Sequence, residues 1–324
     1  MAAITEFGTT ELGHKVHKIT LAEGDLTAAI LTRGATLQSV RLAGVAHDLT
    51  LGSDNLTDYE GRMLNFGCLV APVVNRLSDA SAPIGSKRFQ FEANQSGRHT
   101  LHSGATSTRQ KLWDIAEASA SAVTLSVTLP AGEGNFPGNR KVQARFAVTA
   151  GRLRLDVTAT TDVLTLFNVA NHSYWTMDGA ATWAGHALKV AADRYLPVTP
   201  DFCPTGAIEP VDGTIFDLRQ MRDIHPGTDT YDHNFCLSGG RQSLRDVLWL
   251  RGASGVTMTV ATTEAGVQVY DGRGAQRPGR GFYEGLAIEP QSWPDGPNHP
   301  GFPAIELAPG QTYHHTTEWR FAKA

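Results

Sequence analysis

Cysteine is nearly absent. Cys68, Cys203 and Cys236 are the only three in 324 residues, odd in number and far apart. That excludes a disulfide framework and a cysteine-based zinc site, so the thiols read as reduced and packed. An excess of one charge is also missing. Lys and Arg number 28 and Asp and Glu 32, for a formal net charge of −4, with no Lys/Arg block. Such a balance gives no reason to expect a nucleic-acid partner. No apolar run approaches the ~20 residues of a membrane span. The opening MAAITEFGTTELGHK has no basic stretch leading into an apolar one, so no membrane association and a cytoplasmic location are expected. His-Glu-x-x-His and Cys-x-x-Cys are absent, and His314 and His315, adjacent on a strand, would face opposite ways. No metal and no cofactor are expected. The glycine-rich DGRG at 271–274 lacks the Gly-Lys-Ser/Thr ending of a phosphate loop.

What is present is a β protein. Hydrophobic residues make up 41% and charged residues 19%, the balance of a globular chain with a core. Residues 123–129 (VTLSVTL) and 153–159 (LRLDVTA) alternate apolar and polar side chains. So do Val142, Ala144, Phe146 and Val148, and then Val256, Met258 and Val260. Period two puts one face in a core and the other outward. Gly132-Glu133-Gly134-Asn135 and Ala150-Gly151-Arg152 read as hairpin turns, and 33 glycines and 16 prolines fit a turn-rich chain. No linker, low-complexity segment or repeat divides the sequence. The expectation is one all-β antiparallel domain over 1–324, a sandwich or a barrel.

Titratable side chains gather beside apolar or aromatic neighbours in five segments: Asn75-Arg76, LHSG at 101–104, NHSYW at 171–175, YDHNF at 231–235 and IEPQSWPDGPNHPGFP at 288–303. Such settings shift pKa values and offer a sugar both hydrogen bonds and an apolar surface. Each also has a plainer reading. His102 before Ser-Gly fits a turn histidine, and His172 fits a satisfied core histidine. Asp232 and Arg76 fit a structural ion pair. Glu289 ends an apolar strand, where a carboxylate is costly unless paired or used.

Taken in order, these segments resemble the aldose 1-epimerase (galactose mutarotase) family over nearly the whole chain. LTRGATLQSVRL and HDLTLGSDNLTDY are similar to its opening strands, and NFGCLVAPVVNRL to the segment with its Asn-Arg pair. EGNFPGNRKVQARFAV, LPVTPDFCPTGAI, TIFDLR and AGVQVYDG are also similar. NHSYW and the PD-x-x-NHP-x-FP tail are the most specific. The resemblance implies a large β-supersandwich with a sugar cleft on one sheet, and an isomerase that interconverts the α and β anomers of a free aldose. It implies that Glu289 is the base at the C1 hydroxyl and His172 the acid at the ring oxygen, with His102 assisting. It also implies that Asn75, Arg76, Asp232 and Gln268 bind the sugar. This chemistry moves two protons and needs no metal or redox cofactor.

Several positions depart from the family pattern. Ala71-Pro72 stands where Gly-Arg is common, Ser103-Gly104 where Gly-Gly is usual, Pro290 where Thr follows the base, and Trp175 where Phe is common. These bear on the preferred sugar. Arg273, Arg277 and Arg280 suggest a rival substrate with a charged group, a hexose 6-phosphate or a sulfonated sugar, against the plainer reading of a solvated basic loop. A non-catalytic carbohydrate-binding module is the rival of another class, though binding alone has no need of an acid–base pair. A monomer or a homodimer is compatible with the sequence.

Overall fold

Alternation along the chain becomes three main antiparallel sheets. The computed structural model describes residues 2–323. Ala3–Thr9, Lys15–Glu23, Leu26–Leu31 and Thr36–Leu42 form a four-stranded meander. A nine-stranded sheet runs in the order 114–118, 122–129, 140–149, 152–161, 313–322, 257–262, 245–251, 187–190 and 222–223. A six-stranded sheet runs 174–175, 286–291, 266–270, 232–236, 194–195 and 209–210. The expected strands are here. VTLSVTL lies in Ala122–Leu129 and LRLDVTA in Arg152–Thr161. Val142, Ala144, Phe146 and Val148 are buried along Arg140–Thr149, as is Arg140 at its start. Ala150-Gly151 makes the two-residue turn between paired Thr149 and Arg152, with Gly151 in the left-handed region at φ 63°. The glycines at 132–134 instead belong to a longer connection around a 3-10 turn, Glu133–Asn135. The one α-helix among the described residues is short, Leu56–Glu60.

One buried cluster holds side chains from all three sheets: Leu21 and Ile30 from the meander, Phe146, Leu155 and Trp319 from the nine-stranded sheet, and Val267, Val269 and Ile288 from the six-stranded one. The sheets are therefore layers around a common core, a sandwich rather than a barrel. Trp175 shows how the core supports the opposite face. Its ring is fully buried, with ring centroids 5.5 Å from Trp319 and 5.6 Å from Phe321. The preceding Tyr174 points the other way, toward a cleft. Trp175→Ala is expected to cost about 3–5 kcal/mol of stability, read by urea denaturation. A loss under about 1 kcal/mol would contradict this packing.

Candidate active site

The outer face of the six-stranded sheet carries the polar cluster. Along Leu286–Gln291, Leu286 and Ile288 enter the core, which sends Ala287, Glu289 and Gln291 to the other face. Register does the rest. Glu289 pairs with Gln268, and Gln268 with Asn234, forming one polar row across three strands. Ala287, Tyr270 and Asp232 form the next row. Above these rows lies a cleft of about 390 Å³.

Its opposite wall comes from three segments tied together by backbone bonds. Ala170–Asn171 pairs with Leu69–Val70, and the His172 N–H donates to the Cys68 carbonyl at 2.9 Å. The Asn171 side chain donates to the Gly67 carbonyl at 2.7 Å. Gly67 has φ 72°, and a Cβ there would stand 2.2 Å from the Leu37 carbonyl oxygen, so this approach requires glycine. Asn75, at φ 62°, and His102, at φ 53°, both occupy the left-handed region. They face each other: the His102 N–H donates to the Asn75 carbonyl at 2.8 Å, and the Asn75 N–H to His102 Nδ1 at 3.1 Å. With Nδ1 accepting, a neutral His102 carries its proton on Nε2. Ser103 replaces the usual glycine without losing the turn. Its hydroxyl donates to the Val73 carbonyl and accepts from the Val73 N–H, both at 2.8 Å.

Six of the seven residues singled out in the sequence line the cleft: Asn75, Arg76, His102, His172, Asp232 and Glu289. The seventh, Gln268, lies under its edge and donates to Asp232 Oδ1 at 2.7 Å. His172 Nε2 and Glu289 Oε1 are 3.6 Å apart, and both side chains are buried. The rings of His102 and His172 meet edge to face at 5.3 Å. Arg76 lies 3.8 Å from Asp232, donates from Nε to Gln95 Oε1 at 2.9 Å, and sits over the Phe202 ring. The two plain readings are thus also true: His102 is a turn histidine, and Arg76–Asp232 is an ion pair, each at the wall of the cleft.

Sequence reasoning missed the aromatic and amide lining. Phe66, Tyr174, Phe202, Tyr270 and Gln95 all face the cleft. Phe66 and Tyr174 stack at 4.3 Å. Tyr270 stands two residues from Gln268, so period two on that strand was a signal for it. Phe202 and Gln95 come from distant loops and left none.

Burial dominates the electrostatics. It pushes Glu289 up to about 8, with Asp232 adding to the rise and Arg76 partly offsetting it. It pulls His172 down to about 4, where Arg109 adds to the effect and a backbone hydrogen bond opposes it. His102 is held well below the usual histidine range by burial and by the nearby His172, Arg109 and Arg76. Asp232 is raised by burial, with Arg76 and the Gln268 amide opposing. Between pH about 4 and about 8 the Glu289–His172 pair therefore holds one proton. Glu289 Oε2 and Gln268 Oε1 are buried acceptors with no hydrogen-bond partner among the described residues.

The three arginines that suggested a charged sugar are already engaged. Arg273 pairs with buried Asp271 at 2.6 Å, Arg277 with Glu284, and Arg280 with Glu284 at 3.3 Å. Of the three, Arg273 alone lines the cleft. His314 and His315 lie on the strand Tyr313–Ala322, the first exposed and the second buried. Among the described residues no group of three or more His, Cys, Asp or Glu is placed to hold a metal ion. No helix among them is long and apolar enough to cross a membrane.

Residues 17–320 match the family described as aldose 1-epimerase. The chain belongs to that family. Aldose 1-epimerases are isomerases acting at the anomeric carbon, and the chain is an enzyme of this kind. It is 33% identical to the galactose mutarotase of Mus musculus over 331 residues, covering 96% of each chain. It is 32% identical to that of Homo sapiens over the full length of both. A solved aldose epimerase homologue from C. elegans superposes with a TM-score of 0.87 at 27% identity, covering 95% of this chain and 99% of that one. As an aldose 1-epimerase, the chain is expected to carry its acid–base chemistry where two titratable groups meet in the cleft.

Proposed function

We propose that Glu289 and His172 are the acid–base pair, and that the substrate is a neutral free hexose such as galactose. The observation that carries this reading is the 3.6 Å separation of Glu289 Oε1 and His172 Nε2 on the cleft wall. The hydroxyl oxygen and the ring oxygen of a hemiacetal are both bonded to C1, so the groups that serve them must stand side by side.

Glu289 as carboxylate takes the proton of the C1 hydroxyl. The C1 to ring-oxygen bond breaks, its electron pair goes to the ring oxygen, and His172 protonates that oxygen. An aldehyde forms at C1, the C1–C2 bond rotates, and closure on the other face runs the two proton transfers backwards. The bound sugar favours the charged starting pair, since its hydroxyl donates to the carboxylate and its ring oxygen accepts from the imidazolium. Ring opening then yields a protonated Glu289 and a neutral His172. That is the state burial favours, so both transfers gain driving force from the same desolvation. His102, neutral and carrying its proton on Nε2, offers a further donor. Asn75, Arg76 and Asp232 hold the hydroxyls, Gln268 orients Asp232 through its 2.7 Å bond, and the Phe66–Tyr174 stack covers apolar sugar surface.

A neutral sugar is favoured because Arg273, Arg277 and Arg280 are matched by Asp271 and Glu284. The names of the mammalian relatives favour galactose. We take residues 1–324 as one functional unit, since a single core cluster runs from Ile19 to Phe321. A cytoplasmic site of action fits three cysteines that remain free thiols. Anomer exchange measured by NMR is expected to be faster for galactose than for glucose 6-phosphate. The reverse order would overturn the neutral-sugar reading. Asp232→Asn is expected to raise KM about tenfold with a smaller change in kcat, because it weakens both the Arg76 pair and the Gln268 bond.

A further inference from the structure

The PD-x-x-NHP motif has no part in the proton transfers, yet it contains a fully buried carboxylate beside the cleft. We propose that Asp295 is a positioning residue for the guanidinium of Arg76, holding that sugar-binding side chain in register with Glu289. The inference rests on the reading of Arg76 as a sugar contact.

Asp295 itself occupies the left-handed region at φ 58°, and its side chain is 0% exposed. Its carboxylate accepts from the Ser78 N–H at 2.9 Å and from the Ser78 hydroxyl. Its own N–H donates to the Arg76 carbonyl at 3.2 Å. One residue thus grips the chain on both sides of Leu77 and fixes the backbone from which the Arg76 side chain extends. The Asn298 amide donates to Oδ1 at 2.7 Å, and His299 Nε2 lies 3.2 Å from Oδ2. These two contacts complete the surroundings of the charge from inside the motif.

The grip matters because of where it starts. Asp295 lies six residues beyond Glu289 on the same segment, and that segment is fixed on the way. The Ser292 N–H donates to Asn168 Oδ1 at 3.0 Å, while Asn168 bonds the Pro72 carbonyl at 2.7 Å and the Val74 N–H at 2.9 Å through its backbone. The segment bearing Glu289 and the segment bearing Asn75-Arg76 are therefore joined at two points, Asn168 and Asp295. A buried carboxylate is expensive unless its acceptor sites are filled by fixed donors. Here the Ser78 donors belong to the segment that must be held, so the cost is offset only when that segment is in place.

The test is a double-mutant cycle on anomer exchange, with kcat and KM measured well below the melting temperature. Asp295→Asn keeps the shape and one acceptor but loses the charge and turns a donor toward Ser78. It is expected to raise KM about tenfold with kcat within about twofold of wild type. Arg76→Ala should raise KM as well, and adding Asp295→Asn to it should raise KM no further. Ser78→Ala removes a single side-chain bond. It is expected to raise KM about threefold, and it serves if Asp295→Asn does not fold. A purely structural role would lower the melting temperature and the amount of active enzyme but leave KM unchanged. That outcome, or a full Asp295→Asn effect on top of Arg76→Ala, overturns the proposal. If Arg76→Ala leaves KM at its wild-type value, the assignment of Arg76 to the sugar fails, and the positioning role fails with it.

Discussion

Replacing Glu289 with Gln is expected to abolish catalysed anomer exchange and, in the same protein, to raise stability at neutral pH. The activity loss follows from the role of the base: a positioned acid or base contributes ~10²–10⁴-fold, and Gln can accept a hydrogen bond but not a proton. The stability gain follows from linkage. The folded-state pKa of Glu289, about 8, lies above the unfolded value of ~4.3. A group raised by folding contributes its stability below the unfolded pKa and loses it as the pH rises through the folded pKa. The wild type is therefore expected to lose stability relative to Glu289→Gln from about pH 4.5 upward, by about 4 kcal/mol at pH 7. Urea denaturation of both proteins at pH 5 and pH 7 reads the difference directly. A gap that does not widen with pH would show that Glu289 is ionised at no cost in the fold.

The second large effect concerns His172. His172→Gln is expected to lower kcat by ~10²–10⁴-fold, since the ring oxygen loses its proton donor. In the wild type, kcat/KM should form a plateau bounded by the two values of the pair. It falls below pH about 4, where His172 gains a proton while Glu289 already holds one. It falls above pH about 8, where the single shared proton is lost. His172→Gln should move the lower limb of whatever activity remains up to about pH 8, where Glu289 alone becomes a carboxylate, and His102→Gln should leave both limbs in place. An acid limb near the ordinary histidine value, ~6.5, would mean that burial does not govern His172.

The parts of the fold legible in the sequence are those with one face in the core and one in water. Arg140–Thr149 is such a strand, alternating buried and exposed along nearly its whole length. Leu286–Gln291 is not: all six residues are buried, because one face meets the core and the other forms the wall of the cleft. Its sequence, LAIEPQ, shows no alternation, although Glu289 stood out as a charge on an apolar strand. The site was legible where polar residues clustered locally, as in NHSYW. The pairing of Gln268 with Glu289 and the approach of Phe202 to Arg76 depend on register and on loop course, which leave no local pattern. Protonation was the least legible feature. From reference values a carboxylate base is ionised at neutral pH, whereas the depth of the cleft pushes the proton of the pair toward Glu289.

The central claim is that this cleft opens and closes a sugar ring. Exchange between the α and β anomers of galactose, followed by NMR exchange spectroscopy with catalytic amounts of the protein, tests it most directly. The account predicts exchange faster than in buffer, in proportion to protein concentration, and lost in Glu289→Gln. Galactose that binds the cleft while its anomers exchange only at the buffer rate would contradict it and leave a carbohydrate-binding protein instead.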